Sequence, residues 1–255
     1  MQLKLPVEYL EGYTSGSQRA RVVTEPWAEA NLYCPSCTSP RLVPFNANTP
    51  AKDFRCPECN ELFQLKSQKR PFTTRINDSA YSKMCQAIRM DATPSFFALH
   101  YHPEKWRVQS LILVPRFVVS LSAVEKRNPL SPTAERSAWV GCNILLAGIP
   151  VDARISVVMN GVAARPSTVR EHFNRLRRFE NLRVEKRGWT LDVLRIVQGL
   201  DNEGFHLDDV YAHGAALAKL HPGNKHINDK IRQQLQELSK LGYVNRVRPG
   251  YYRVL

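Results

Sequence analysis

The chain has 255 residues, of which 43% are hydrophobic and 23% charged, and this ordinary composition excludes a fibrous or disordered protein. A net charge of +13 favours a polyanionic partner, most often nucleic acid. The best candidate for a membrane span, 110–124, is too short and is broken by Pro115 and Arg116. Residues 1–6 lack the apolar region of a signal peptide, so we expect a cytoplasmic protein with reduced cysteines and no membrane partner.

Two helical segments are predicted near the start of the chain, over 17–23 and 26–30. Glu25, between them, is a candidate metal ligand. A carboxylate that interacts with the start of a helix is the favoured explanation of this position.

Two CxxC pairs follow, separated by 18 residues. Each pair can turn two thiolates toward one ion, and four thiolates complete the tetrahedral shell of a structural Zn²⁺. A redox motif and chance pairing are the alternatives, and the duplication of the pair at this spacing disfavours both. Cys85 and Cys142 are expected to be ordinary buried thiols. The predicted zinc ligands are Cys34, Cys37, Cys56 and Cys59.

The second CxxC pair is predicted to lie at the tip of a hairpin that joins Asp53 to a strand over 62–67. Because side chains alternate along a strand, Gln64 and Lys66 project from one face and Leu65 from the other. An acid, an oxygen donor and a lysine that converge in this way are typical of metal-dependent nucleases. There the acid and the middle residue bind Mg²⁺, and the lysine lies near the attacking water. Without further context, a solvated strand face explains the same pattern.

The elements after this hairpin give the nuclease interpretation its context. Asn77 and Asp78 are predicted to cap a helix over 79–91, and strands are predicted over 96–101 and 106–114. The order strand, strand, helix, strand, strand is that of a restriction-endonuclease-like core. The buried stripe of the helix is predicted to be Tyr81, Met84, Cys85 and Ile88.

An arginine-rich segment, 170–187, is expected to connect the core to a second domain, either as a solvated helix or as a connector that contacts phosphates. Three helices are predicted beyond it, over 189–197, over 207–220 and from 224 or 225 onward, before a hairpin that turns at 249–250. Three helices and a basic hairpin form a winged helix, which binds either DNA or another protein. The polar face of the third helix favours DNA, through Lys225, Asn228, Lys230, Arg232, Gln233 and Gln236, with Arg246 and Arg248 in the wing.

Specific strings along nearly the whole chain resemble the DpnI-like (Dam-replacing) family of methyl-directed restriction endonucleases. The resemblance implies an α+β fold with a PD-(D/E)XK catalytic domain and an embedded four-Cys zinc site over 1–182, followed by a winged-helix domain over 183–255. The strings are the CPxC knuckle at Cys34, Ser17-Gln18-Arg19-Ala20-Arg21, Thr24-Glu25-Pro26-Trp27, Ala51-Lys52-Asp53-Phe54, Leu65-Lys66-Ser67, Ile76-Asn77-Asp78, Pro132-Thr133-Ala134, Trp139-Val140-Gly141-Cys142-Asn143-Ile144, Arg187-Gly188-Trp189-Thr190 and Lys230-Ile231-Arg232-Gln233-Gln234-Leu235-Gln236.

The resemblance also implies a type II activity, in which a monomer cleaves double-stranded DNA with Mg²⁺ at GATC sites whose adenine is N6-methylated. Carried over by motif, Asp53, Gln64 and Lys66 are catalytic, and Asp53, Gln64 and the backbone of Leu65 hold Mg²⁺. Trp139 matches a tryptophan of the methyladenine pocket, although the sequence by itself predicts a core tryptophan there.

Gln64 departs from the family pattern, which has an acidic residue at this position. An amide oxygen can bind Mg²⁺ but brings no charge, so a lower metal affinity is expected. Similar QxK sites serve in Mrr-like nucleases of the same superfold. Glu61 is not expected to replace the missing carboxylate, because it points to the opposite face of the strand from Gln64. The alternative function is a non-cleaving methyl-GATC reader or regulator. A zinc-ribbon transcription factor is a third alternative, which leaves the strands over 96–114 unexplained.

Overall fold

The computed structural model describes residues 1–46, 52–131, 133, 135, 137, 139–200 and 203–255. Ala51, Pro132 and Ala134, which belong to the strings quoted above, lie outside these residues. Within them, the helices are α1 (Gly16–Asn31), α2 (Tyr81–Arg89), α3 (Pro166–Leu176), α4 (Val184–Val197), α5 (Leu207–Tyr211), α6 (Gly214–Leu220) and α7 (Ile227–Lys240). The strands are β1 (Val43–Pro44), β2 (Phe54–Arg55), β3 (Leu62–Gln68), β4 (Arg75–Ala80), β5 (Ser95–His102), β6 (Arg107–Val114), β7 (Val124–Lys126), β8 (Gly141–Leu145), β9 (Ile155–Met159), β10 (Val162–Ala163), β11 (Phe205–His206), β12 (Val244–Arg248) and β13 (Tyr251–Val254).

The largest sheet of the described residues has seven strands in the order β1-β2-β3-β5-β6-β9-β10. Only the β3–β5 pair in it is parallel, with Phe63 opposite Ser95 and Gln68 opposite His100. All of β5 from Ser95 to Leu99 is buried, as expected for a central strand that is covered on both faces. The two strands predicted over 96–101 and 106–114 are confirmed as β5 and β6.

The first helix differs from its prediction, because 17–23 and 26–30 form one continuous helix, α1, with Pro26 inside it. A proline in a helix interior removes one backbone hydrogen bond. Burial of the neighbouring Trp27 and Ala28 offsets this cost, and the Trp27 Nε1–H donates to the Gln2 carbonyl at 2.8 Å.

A second sheet of three strands, in the order β4-β8-β7, packs with α2. The prediction that Asn77 and Asp78 cap a helix starting at 79 is wrong, because both residues lie in β4 and α2 begins at Tyr81. Pairing of the buried Ile76 with Ile144 draws this segment into the sheet. The apolar stripe of the helix is confirmed at its buried members Met84, Cys85 and Ile88.

The C-terminal part is a winged helix of α4 to α7 with a three-stranded sheet in the order β11-β13-β12. The single helix predicted over 207–220 is wrong, since the segment forms α5 and α6. The third helix, α7, starts at Ile227, which leaves Lys225 outside it. The hairpin turns at 249–250 as predicted, where Gly250 has a φ of +74°. The strand β11, which pairs Phe205 with Tyr252, was not predicted.

Ion pairs and hydrogen bonds join the two parts of the chain. Arg187 in α4 is 3% exposed and pairs with Asp91, which also contacts Arg116 at 3.3 Å. Asp192 in the same helix accepts a hydrogen bond from Ser122 Oγ at 2.7 Å and contacts His221 Nε2 at 2.8 Å. Among the described residues, no helix is both long and apolar enough to cross a membrane.

Candidate active site and zinc site

The four cysteines of the two CxxC pairs meet as predicted, with their sulfur atoms all within 4.8 Å of one another. The Sγ atoms of Cys34 and Cys59 are 3.6 Å apart, and those of Cys37 and Cys56 are 3.5 Å apart. A Zn–S bond of about 2.3 Å gives a tetrahedral S–S edge of about 3.8 Å, so the cluster fits one structural Zn²⁺ with a small expansion.

The environment of the thiols decides how easily each one loses its proton. Burial raises the pKa of Cys37 to about 11 and that of Cys34 above it. Burial also raises the pKa of Cys56, but backbone hydrogen bonds of Cys59 and Glu58 outweigh this effect and lower it to about 7. A bound divalent cation stabilises all four thiolates together, because metal binding favours the deprotonated ligands.

Two arginines of the connector hold the first cysteine loop. Arg170 donates from Nε to the Cys34 carbonyl at 3.0 Å and from Nη2 to the Ser39 carbonyl at 3.0 Å. Arg177 donates to the Ser36 carbonyl at 3.1 Å. The sequence left open whether this segment is a solvated helix or contacts phosphates. Neither alternative describes these two arginines, because they donate hydrogen bonds to backbone carbonyl groups of the cysteine loop.

Asp53 lies beside β3, across the hairpin that the cysteines close. Its backbone N–H donates to the Phe63 carbonyl at 3.0 Å, and its Oδ2 accepts a hydrogen bond from the Leu65 N–H at 2.7 Å. Burial raises the pKa of the Asp53 carboxyl, while the Leu65 N–H and the Lys66 and Arg21 charges lower it. A desolvated carboxylate of this kind gains stability from a nearby cation.

Gln64 and Lys66 share one face of β3, and the Asp53 carboxylate lies beside this strand. The two side chains are two residues apart in β3, and the Leu65 N–H between them donates to Asp53 Oδ2. The structure therefore brings the three predicted catalytic residues together. A carboxylate, an amide oxygen and a backbone carbonyl are the hard oxygen donors that Mg²⁺ prefers, so the residues present fit this ion.

Asp78 is a member of this cluster that the sequence reasoning missed. Its Oδ1 lies 2.5 Å from Lys66 Nζ, and its side chain is only 2% exposed. The sequence assigned Asp78 to a helix cap, and only the pairing of β4 with a strand distant in sequence, β8, reveals its position.

Glu25, the other candidate metal ligand, lies within α1 and forms an ion pair with Arg21 at 2.9 Å. The explanation as a carboxylate at a helix start is therefore wrong. Together with Asp53 and Lys52, these two residues line a cavity of about 430 Å³. Glu61 lies elsewhere, because it accepts a hydrogen bond from Ser95 Oγ at 3.0 Å and contacts Arg116 at 3.7 Å.

Trp139 is half-buried just before β8, so the simple core explanation does not describe it. Its ring lies against Gly141, where an added Cβ would meet the ring atoms Cη2 and Cζ3 at 2.6 and 2.9 Å. Only glycine at 141 leaves room for the ring in this position.

The residues predicted to contact DNA are exposed on α7, on the turn before it and on the wing, except that Lys230 is half-buried. Lys230 Nζ donates to Gln233 Oε1 at 2.9 Å, and both residues line a groove of about 1070 Å³ that also includes Arg89 and Ser120. This part of the α7 surface therefore faces the first half of the chain. Arg248 stacks on Tyr251, with its guanidinium 5.0 Å from the ring centroid.

A restriction-endonuclease-like sheet with an acid, glutamine and lysine on one face, a zinc-type cysteine cluster and a winged helix define a DNA-acting protein of the nuclease class. Comparison with known families agrees with this assignment. Residues 1–182 match the Dam-replacing family (DpnI), and residues 185–254 match the Dam-replacing HTH domain. The chain belongs to the Dam-replacing family, a family of restriction endonucleases, which supports a nuclease with a methyl-directed function on DNA.

Replacing a zinc ligand tests the cysteine cluster. Cys56→Ser is expected to abolish stoichiometric zinc binding, measured by atomic absorption on purified protein, because a hydroxyl is a poor substitute for a thiolate. It should also lower the melting temperature, since β2 has only two residues and depends on the cluster.

Cys85→Ser is the matched control, because Cys85 is a buried thiol outside the cluster. Full zinc content in Cys56→Ser, or loss of zinc in Cys85→Ser, would contradict the assignment.

Proposed function

We propose that this protein is a type II restriction endonuclease that cleaves double-stranded DNA at GATC sites containing N6-methyladenine, by Mg²⁺-dependent phosphodiester hydrolysis. In this proposal residues 1–182 form the catalytic domain, residues 183–255 form the DNA-binding winged helix, and the protein acts as a monomer. The observation that supports the proposal is the contact of the Asp53 carboxylate with β3, where the Leu65 N–H donates to it between Gln64 and Lys66.

In the proposed mechanism, Asp53, the Gln64 side chain and the Leu65 carbonyl would hold Mg²⁺, which would supply the positive charge that polarises the scissile phosphate and lowers the pKa of a water molecule. The Lys66 ammonium stabilises the negative charge that develops on the phosphate as water attacks in line. Breaking the bond from phosphorus to the 3′ oxygen leaves a 5′-phosphate end.

The winged helix supplies the second DNA contact. Exposed amide and cationic side chains on the α7 surface, such as Asn228 and Gln236, suit base edges in the major groove. Arg246 and Arg248 of the wing are exposed and suit phosphates, which position the protein without reading sequence.

A non-cleaving methyl-GATC reader is the second candidate, and the uncharged Gln64 favours it. Loss of one carboxylate from the metal site weakens Mg²⁺ binding, and a protein that binds the site without cleaving it would keep the same zinc cluster and winged helix. Measurement of cleavage and binding on the same DNA separates the two functions.

The first experiment digests plasmid DNA in Mg²⁺, with GATC adenines methylated or unmethylated, using the wild type and Asp53→Ala. We expect the wild type to cut only methylated plasmid. Asp53→Ala should lose cleavage but keep methyl-selective retardation on a gel, because Asp53 is placed at the metal and not at the base edges.

Two results would contradict the proposal. Methyl-selective retardation without cutting by the wild type would favour the reader, and equal cutting of both plasmids would remove the methyl specificity. Equal loss of cleavage and DNA binding in Asp53→Ala would contradict the assignment of Asp53 as a ligand of the catalytic metal.

Restoring the acidic residue tests the role of position 64. Gln64→Glu adds a negative charge beside Asp53, so the Mg²⁺ concentration that gives half-maximal cleavage should fall by about tenfold. Gln68→Glu is the matched control on the same strand and face, and its Mg²⁺ dependence should stay that of the wild type. An unchanged Mg²⁺ dependence in Gln64→Glu would show that residue 64 does not bind the ion.

Trp139→Ala tests the proposed methyladenine pocket. Burial of one methyl group is worth about 1 kcal/mol, so the ratio of cleavage rates on methylated and unmethylated DNA should fall by about fivefold. Trp106→Ala removes another half-buried tryptophan, which stacks on Tyr101, and should leave this ratio unchanged. A similar fall in both variants would indicate a general loss of packing.

A further inference from the structure

Lys66 and Asp78 form a buried ion pair that joins the two sheets of the first half of the chain. The Nζ and Oδ1 atoms are 2.5 Å apart, and the side chains are 17% and 2% exposed. Lys66 lies in β3 of the large sheet, and Asp78 lies in β4 of the small one. Burying one charge without an opposite charge beside it is costly, so the two groups depend on each other.

The backbone directs Asp78 toward Lys66. Asp78 pairs with Cys142 on β8, but the register shifts before the next pair, Ala80 with Gly141, so Ser79 is the extra residue of a β-bulge. Bulges are frequent beside active sites, where they redirect side chains. Asp78 shares a face with the buried Ile76 two residues earlier, whereas the intervening Asn77 is exposed.

Lys66 requires a partner of this kind. Its ammonium ends a flexible four-carbon chain with many accessible rotamers, and a fixed position needs an acceptor that orients it. Because Gln64 is uncharged, the carboxylates of this cluster that interact with the Lys66 ammonium are Asp53 and Asp78. Asp53 is engaged by the Leu65 N–H, whereas Asp78 contacts the ammonium directly.

We propose that Asp78 is a positioning residue of the active site, which holds the Lys66 ammonium where it meets the scissile phosphate. This inference rests on the proposed nuclease function, in which Lys66 is catalytic. Asp78 itself does not contact the DNA and acts through Lys66.

A double-mutant cycle tests this role with wild type, Asp78→Asn, Lys66→Met and the double variant. Asp78→Asn should lower the single-turnover rate on methylated DNA in Mg²⁺ by about tenfold to a hundredfold. Its DNA affinity, measured with Ca²⁺ in place of Mg²⁺, should stay within about twofold of the wild type. In the Lys66→Met background, Asp78→Asn should cause no further loss of rate, because its effect passes through the lysine.

Thermal unfolding without added metal gives a second measurement that does not depend on activity. Lys66→Met leaves a buried carboxylate unpaired and should lower the melting temperature. Adding Asp78→Asn should then raise the melting temperature above that of Lys66→Met, since no uncompensated charge remains. Additive losses of stability would show that the pair does not act as a unit, and would overturn the proposal.

Glu125→Gln is the matched control, because it makes the same change from acid to amide on β7 of the small sheet. Glu125 lies opposite Asn143 on β8, whereas Asp78 lies opposite the next residue, Cys142, so the two acids are on opposite faces of the small sheet. The cleavage rate of Glu125→Gln should therefore match that of the wild type.

A wild-type cleavage rate in Asp78→Asn would overturn the inference and leave the nuclease function intact. Parallel losses of DNA affinity and rate would assign Asp78 a structural role only. A wild type that fails to cleave methylated DNA would overturn the function, and this inference with it.

Discussion

The antiparallel pairing of β2 with β3 is the constraint on which the candidate active site depends. It brings Asp53 beside β3, where the Leu65 N–H holds the carboxylate at 2.7 Å. A strand of two residues cannot hold this geometry alone, because its few hydrogen bonds do not compensate for the loss of backbone entropy. The cysteine cluster closes the hairpin at its far end, and Arg170 ties the first cysteine loop to α3. The four-Cys cluster and the candidate active site thus lie at the two ends of one hairpin.

The same arginine-rich segment explains how the two halves of the chain stay together. Arg170 in α3 and Arg177 after it bind the cysteine loop, and Arg178 donates to the Leu241 carbonyl of the winged helix at 2.8 Å. Arg187 continues the series with its pair to Asp91. These arginines, whose clustering in the sequence suggests phosphate binding, therefore mainly donate hydrogen bonds to other parts of the protein. Exposed basic groups on α7 and the wing remain available for contacts with DNA.

Local patterns predicted much of this architecture, and pairings between distant segments account for the rest. The CxxC spacing, the alternation from Gln64 to Lys66 and the apolar stripe of α2 depend on neighbouring residues, so they could be recognised in the sequence. The position of Asp78 depends on β8, more than 60 residues away, and an Asn-Asp pair before a helix favours a cap when that strand is unknown. The strand β11 has only two residues and forms only because β13 pairs with it, which is why no local pattern indicated it.

Discrimination of a methyl group is the most demanding requirement of the proposed function. Burial of a methyl group against an aromatic wall contributes about 1 kcal/mol, which separates methylated from unmethylated sites only about fivefold. Stronger selection needs a pocket whose shape excludes other occupants, and a rigid wall is a condition for this. Gly141 allows the Trp139 ring to pack closely here, because the ring occupies the space where any other residue would place its Cβ, 2.6 Å from the ring. When a second module also recognises the methyl group, its preference for methylated over unmethylated sites multiplies that of the first, because free energies of independent contacts add. In the proposed function, a winged helix that reads the same mark would therefore add to the methyl selectivity that Trp139 supplies.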